Sequence, residues 1–301
     1  MPKHLKLYMK ALIIVAPTVS ADTRNLLRVA VRNSLDSAAE SCEIREIRAG
    51  EPMAEAVAQR MAGQVSCVVA VGGDGTVSSV AHALVGTEIP LGIVPAGTGN
   101  LVARELGIPL DVTAAVKLIA GPHRLRKIDA MEIAGRTYLL NAGVGINAEV
   151  IDRTSRLGKS LFGRSAYVGT AVWKVLQAKP QRLEITVDGE TRTYEATDVL
   201  ISNCGTLARV LHPNCPDIRA DDGQVDVCII CMKMPLEYPW YYLRKSLFPG
   251  HVNRIIHEMP AKKSVVVRSD ATISVQADGD IICTTPVTVT VQPNAVAVMV
   301  P

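Results

Sequence analysis

Three things are scarce in this 301-residue chain: charge of one sign, long apolar runs and a pairing set of cysteines. A net charge of +3 gives no argument for nucleic acid as a partner. No apolar run reaches the length needed to cross a bilayer. The N-terminal "MPKHLKLYMKALIIVAPTVS" has lysines before an apolar run, as a signal peptide does. That run is short, stops at Pro17 and has no small-x-small cleavage site, so it reads as a buried first strand. Seven cysteines, an odd number in a large chain, exclude a secreted disulfide framework and fit a reduced, cytoplasmic protein. Cys228 and Cys231 form C-x-x-C inside the strand-like "VDVCIICMKM", where residues three apart face opposite sides, so a shared zinc is not expected. There is no internal repeat and no low-complexity linker.

What remains is 48% hydrophobic and long enough for two packed domains. The first part alternates short apolar runs with helical patterns. Strands are expected at 10–16, 43–48, 66–71 and 90–94, and helices at 20–38, 52–63, 76–86, 99–106 and 111–120. Such alternation predicts an α/β domain, a parallel sheet with flanking helices on both faces. Near Ile128 the character changes to short alternating strands such as "KIDAMEIAG", "RLEITVDGE" and "KSVVVRSDATISVQADGD". Asp188-Gly189 between two runs signals a hairpin. The second domain is therefore expected to be an all-β sandwich, interrupted by a helix at about 156–178.

In "VAVGGDGTVSSV" a strand ends at Val71 and a helix is expected to begin near Thr76. Gly72, Gly73 and Gly75 let the backbone approach a ligand, Thr76 can cap the helix, and the helix N-terminus favours an anion. The loop is neither a Walker A loop nor G-x-G-x-x-G. Asp74 within it is repulsive to phosphate unless a divalent cation lies between or the carboxylate helps a proton leave. The alternative is a tight turn in which Asp74 caps the helix. "PLGIVPAGTGNLVARELGIP" repeats the plan with Gly97, Thr98, Gly99 and Asn100. Two such loops at the carboxyl ends of strands point to one nucleotide cleft.

"GGDGT" followed by "GIVPAGTGN" resembles the diacylglycerol kinase catalytic-domain family, in its soluble bacterial lipid kinase form. The resemblance covers nearly the whole chain. It implies an α/β ATP-binding domain at 1–127, joined by a returning C-terminal stretch at 288–301, and a β-sandwich lipid-substrate domain at 128–287. It implies that Pro17, Thr18, Gly72, Gly73, Asp74, Gly75, Thr76, Gly97, Thr98 and Asn100 line the ATP site. This chain departs from the family at Ala16, where Asn is usual, and at Ser78 and Ser79, where Asn-Glu is usual. A threonine usual near Arg48 is also missing.

In "DIRADDGQVDV" the Asp221-Asp222-Gly223 stretch is by itself a turn. The resemblance implies a Mg2+ held by the Asp222 carboxylate and the carbonyls of Arg219 and Gln224, with Asp129 linked through water. Asp278-Gly279-Asp280 by itself is a hairpin turn. The family has Asp-Gly-Glu here. The resemblance implies that this acidic pair, with Asp74, is catalytic, one of the pair taking the lipid hydroxyl proton as the oxygen attacks the γ-phosphorus of ATP.

Between Arg153 and Arg182 lie seven basic residues and no acid, interleaved with apolar ones. "EYPWYYLRKSLFPGHVNR" gathers Tyr238, Trp240, Tyr241, Tyr242 and Phe248, in a chain only 4% aromatic. Each fits peripheral membrane contact, and each fits ordinary packing equally. The function expected is an ATP- and Mg2+-dependent lipid kinase, cytoplasmic and peripherally membrane-associated, with a lipid substrate, no nucleic-acid partner and scope for a homodimer. The alternatives are an NAD kinase-like enzyme, or a non-catalytic nucleotide- or lipid-binding protein derived from a lipid kinase.

Overall fold

The computed structural model describes residues 10–38, 41–61, 65–145, 179–206, 218–232, 237 and 255–301. The first half runs β1 (Lys10–Val15), α1 (Ala21–Ala38), β2 (Ser41–Glu46), α2 (Met53–Met61), β3 (Cys67–Gly72), α3 (Asp74–Leu84), β4 (Leu91–Pro95), α4 (Leu101–Glu105) and α5 (Val112–Ala120). β1 to β4 pair in parallel in the order β2-β1-β3-β4. β1 and β3 are buried almost throughout, as expected of strands covered on both faces. Leu12, Ile14, Val68 and Ala70 pack with Val57 of α2 and Val77, Val80 and Leu84 of α3. Their strand neighbours Ile13, Val15, Val69 and Val71 pack with Leu27 and Val31 of α1 and Val116 and Ile119 of α5.

Then follow β5 (Arg124–Ile133), β6 (Arg136–Tyr138), β7 (Asn141–Gly145), β8 (Gln181–Val187), β9 (Glu190–Ala196), β10 (Asp198–Ser202), β11 (Val225–Ile230) and β12 (Ile256–Ala261). The chain ends with β13 (Ser264–Ser269), β14 (Ser274–Ala277), β15 (Asp280–Thr284) and β16 (Val287–Val300). An antiparallel sheet of order β12-β11-β10-β7-β14-β15 stacks on β5, β8, β13 and β16 through Val144, Ile201, Val227, Val275, Ile133, Ile185, Val265 and Val289. The fold is thus an α/β unit followed by a β-sandwich. The helix expected at about 156–178, most of the basic stretch and the aromatic stretch lie outside the described residues. Cys228 and Cys231 pack into different clusters on opposite sides of the β11 sheet. Among the described residues no three His, Cys, Asp or Glu side chains converge as a metal group.

β16 joins the parallel strands to β13, β8 and β9 in one ten-stranded sheet. Its first part pairs with β13, Val298 pairs with β4, and β5 accompanies it from Val289 to Val300. The register slips between Gln292 and Val296, where Asn294 has φ 52°. That bulge lies between the part of β16 that pairs with β13 and the part that pairs with β4.

Two Asp-Gly hairpins have left-handed backbone at both central residues, as a type I′ turn requires: Asp188-Gly189 (φ 50° and 97°) and Asp278-Gly279 (φ 47° and 95°). Asp188 accepts from the backbone N–H groups of Lys262, Lys263 and Ser264 at 2.7–3.0 Å. Burial alone pushes its carboxyl up, but these three donors together hold it below the usual carboxylate range. A lowered pKa contributes stability above the unfolded value of 3.8 that is lost as pH falls through the folded pKa. Asp188→Ala should therefore cost about 1 kcal/mol at neutral pH, its exposure discounting a charged bond. The difference from wild type in urea unfolding should vanish in acid.

Candidate active site

The loops after β1, β3 and β4 sit side by side at the carboxyl ends of the parallel strands. The Ala16 N–H donates to the Val71 carbonyl (3.0 Å) and the Ala96 N–H to the Gly72 carbonyl (2.8 Å). A Cβ on Gly97 would strike the Gly73 Cα, and one on Gly72 would strike the Thr76 side chain. These two glycines let the loops touch. Around Gly75 there is open space, so packing does not demand a glycine there. Pro17, Thr18 and Thr98 are exposed at the same edge. Asn100, in left-handed backbone, closes its own loop. It accepts from the Gly97 N–H (2.9 Å) and donates to the Gly97 carbonyl (3.0 Å).

The structure corrects one expectation. The helix begins at Asp74, not near Thr76. Gly73 occupies the cap position and offers no side chain, so Thr76 lies inside the first turn and does not cap it. The first-turn N–H groups are left without a side-chain acceptor, which suits an anion. Asp74 instead caps a different helix: its Oδ1 accepts from the N–H of Val102, the second residue of α4 (3.0 Å). One Asp74 oxygen is thus engaged in capping α4, and Oδ2 lies toward Gly99.

One turn after Asp74, on the same face of α3, Ser78 donates its hydroxyl to Asp278 Oδ2 in a short hydrogen bond. Asp278 also accepts from the N–H groups of Leu139 (3.0 Å), Leu140 (3.0 Å) and Asn141 (3.1 Å). Burial pushes its carboxyl above the ordinary range, and the bonds from Ser78, Leu139, Asn141 and Leu140 only partly offset this. Asp280 is exposed at the start of β15. The two acids thus differ: Asp278 is a clamp with every lone pair engaged, and Asp280 reaches solvent. Asp74 and Asp278 both act on the buried Cys204 thiol, which burial first, then Glu105 and these two carboxylates, push well up. Asp278 and Asp280 both act on Tyr138. The nucleotide loop and the Asp-Gly-Asp turn are therefore neighbours.

The acidic turn at 219–224 lies elsewhere on the same bonded framework. Asp129, 0% exposed, accepts from the N–H groups of Gly223 (2.7 Å) and Asn294 (2.7 Å). Its own N–H donates to the Ala220 carbonyl (2.6 Å). Burial raises its carboxyl, these two N–H bonds oppose the rise, and the charges of Asp222 and Asp221 add to it. Asp221 is paired with Arg126 (2.8 Å) and Arg219 (3.3 Å). Asp222 is exposed and, among the described residues, is held by its turn partner Gln224 (3.2 and 3.3 Å). It helps push Asp226 up to about 6, after burial and ahead of Glu258. Negative charge around Asp222 is thus incompletely neutralised, and all donors are oxygens, which suits Mg2+.

Asn203 joins the two regions. Its side-chain NH2 donates to the carbonyls of Asp129 (2.8 Å) and Leu139 (2.9 Å), and its N–H to that of Leu140 (2.8 Å). Sequence reasoning missed Asn203, whose only signal is a polar residue ending the apolar run "DVLIS". It also took Ser78 only as a departure from the family. Ser79 has a local explanation, since its hydroxyl donates back to the Gly75 carbonyl (2.8 Å).

Comparison with known proteins agrees with the fold. The family model described as "Diacylglycerol kinase catalytic domain" matches residues 10–133. That described as "YegS C-terminal NAD kinase beta sandwich-like domain" matches residues 141–300. An uncharacterized protein of Synechocystis sp. is 31% identical over 243 residues, covering 78% of this chain but 55% of that protein. A Staphylococcus aureus protein named "Putative lipid kinase" is 25% identical over 239 residues, covering 78% of this chain and 77% of its own. A solved structure named as a diacylglycerol kinase from Bacillus anthracis superposes with TM-score 0.77 at 23% identity, covering 98% of each chain, and is similar in fold.

The unequal roles of the two acids predict unequal stability effects. Asp278→Ala leaves three backbone N–H groups and Ser78 without their acceptor and should cost about 2–4 kcal/mol. Asp280→Ala should stay within about 0.5 kcal/mol of wild type in the same denaturant titration.

Proposed function

The chain belongs to the diacylglycerol kinase catalytic-domain family, and from that premise we propose that it transfers the γ-phosphoryl group of ATP to the hydroxyl of diacylglycerol or a related lipid. The observation that supports this most is the Ser78–Asp278 bond, which brings the Asp-Gly-Asp turn beside the helix that follows the glycine loop. In this reading residues 1–127 with 288–301 form the nucleotide unit and 128–287 the lipid-substrate unit. No described helix is long and apolar enough to cross a membrane, so lipid would be met by peripheral contact.

The uncapped first turn of α3 and the glycine-lined loops receive the phosphates through backbone N–H groups. Pro17, Thr18, Thr98 and Asn100 complete the nucleotide edge. Asp74 fixes α4 against α3, so the two loops keep one spacing. Asp278 fixes its turn, and Asp280, exposed at the next strand's start, accepts the hydroxyl proton as the lipid oxygen bonds to the γ-phosphorus. The bond from that phosphorus to the β–γ bridging oxygen breaks, and ADP departs with the charge. Mg2+ would be held by the Asp222 carboxylate and the carbonyls of Arg219 and Gln224, with Asp129 behind a water. When bound, such an ion neutralises anionic charge and organises oxygen ligands.

The test is Mg2+-dependent ADP release with a panel of lipid hydroxyl acceptors in mixed micelles and NAD as control. Release that rises with a glycerolipid supports the kinase, and release that rises only with NAD replaces the acceptor. Binding of ATP without release favours a non-catalytic protein. In the same assay Asp280→Asn should lower turnover by at least about 100-fold, the scale of a lost general base. Its melting temperature should be unchanged. Asp74→Ala, which removes the acceptor for the Val102 N–H, should lower turnover through loop spacing and raise the KM for ATP.

A further inference from the structure

Apart from the nucleotide loops, a cavity of about 560 Å3 opens between the end of α4, the start of β5, the end of β16 and the acidic turn. That volume lies within the range of small-ligand sites, roughly 300–1,000 Å3. Three arginines line it: Arg124 and Arg126 from β5 and Arg219 from the turn. Each is held by its Nε edge. Arg124 Nε donates to the Pro301 carbonyl oxygen (2.7 Å), Arg126 Nε to Asp221 Oδ2 (2.8 Å) and Arg219 Nε to Asp221 Oδ1 (3.3 Å). The terminal NH2 groups of the three guanidiniums have no partner among the described residues. Asp221 is the only carboxylate side chain in the lining, and it is shared between two of the arginines. Glu105 acts on Arg126 from nearby, but its Oε2 is engaged by the N–H and hydroxyl of Thr206.

Guanidiniums oriented through one edge, with their forks free, match the oxygens of a phosphate group. A phosphate monoester, carrying up to two charges, suits three such groups better than a diester. The mouth is also apolar. Leu106 and Val300 form part of the wall, and Leu125 is 58% exposed on it, the most exposed large aliphatic side chain among the described residues. Leu110, 40% exposed, follows on the connection leaving Gly107.

We propose that this cavity is a docking pocket for the phosphate monoester headgroup of a lipid, with Leu125 resting in the acyl boundary. The pocket shares Arg219 and Asp221 with the acidic turn but none of the residues assigned to ATP or to proton transfer. The claim concerns binding and does not depend on turnover, so failure of the kinase assay leaves it standing.

The experiment is co-sedimentation of the full chain with three vesicle types: phosphatidylcholine alone, and phosphatidylcholine with about one-fifth phosphatidic acid or phosphatidylglycerol. Calorimetry with inorganic phosphate runs in parallel. Phosphatidic acid should bind best. Arg124→Gln should weaken that binding about tenfold, and Leu125→Asp comparably, with unchanged melting temperatures. Equal binding to both anionic vesicles overturns the monoester assignment. Phosphate bound in solution without a gain on phosphatidic acid vesicles overturns the lipid assignment. Arg124→Gln and Leu125→Asp both binding like wild type would overturn the pocket itself, and leave the contact to other parts of the chain.

Discussion

A single buried carboxylate holds the two halves of this molecule in register. Asp129 sits on β5, the strand that pairs with β16 on both sides of its bulge, and has no solvent exposure. Its two oxygens take the N–H groups of Asn294, at the β16 bulge, and Gly223, in the acidic turn. Burying a carboxylate is unfavourable unless it is well bonded, and a bonded one has little freedom to move. The bulge of β16 and the turn that carries Asp222 are therefore fixed by the same group.

From Asp129 a line of hydrogen bonds continues through Asn203 to the Leu139–Asn141 segment, then to Asp278 and Ser78. Ser78 lies one turn along α3 from Asp74, which caps α4. The acidic turn, the Asp-Gly-Asp hairpin and the glycine loops thus share one bonded framework. Buried polar groups bonded in this way specify a unique arrangement where apolar packing alone tolerates small slides, although Asn203 Oδ1 has no hydrogen-bond partner among the described residues.

The same framework gives each acid a different task. Asp278 is enclosed and saturated with donors, while Asp280 begins a strand in the open. The family's usual Glu at that second position would reach one methylene further than the Asp here. Ser78 in place of the usual Asn still donates to the clamp, and Ser79 turns its hydroxyl inward to the helix. Ala16 is buried against the α1 face, with its backbone N–H holding the first loop to β3.

Much was legible in the sequence because it is local. The alternation of apolar runs with helical spacing fixed β1 to β4 and their helices to within a residue or two in most cases, since burial on both faces leaves a continuous apolar run. The Asp-Gly pairs marked hairpins because only left-handed backbone joins two strands in two residues. The glycine loops announced close approach, and the motif pair identified the family. The start of α3 was misplaced because Gly-Asp-Gly reads locally as loop, and only the packing of Gly72 against Thr76 and of Gly73 against Gly97 makes it helix. Ser78, Asn203 and the distinction between Asp278 and Asp280 were not legible, because each depends on a partner far along the chain. The sequence by itself determined which segments form strands, helices and tight turns, through short-range sterics and hydrophobic period. Tertiary structure alone decided which carboxylate is buried and which is free, because desolvation and hydrogen bonding act between groups that only the fold brings together.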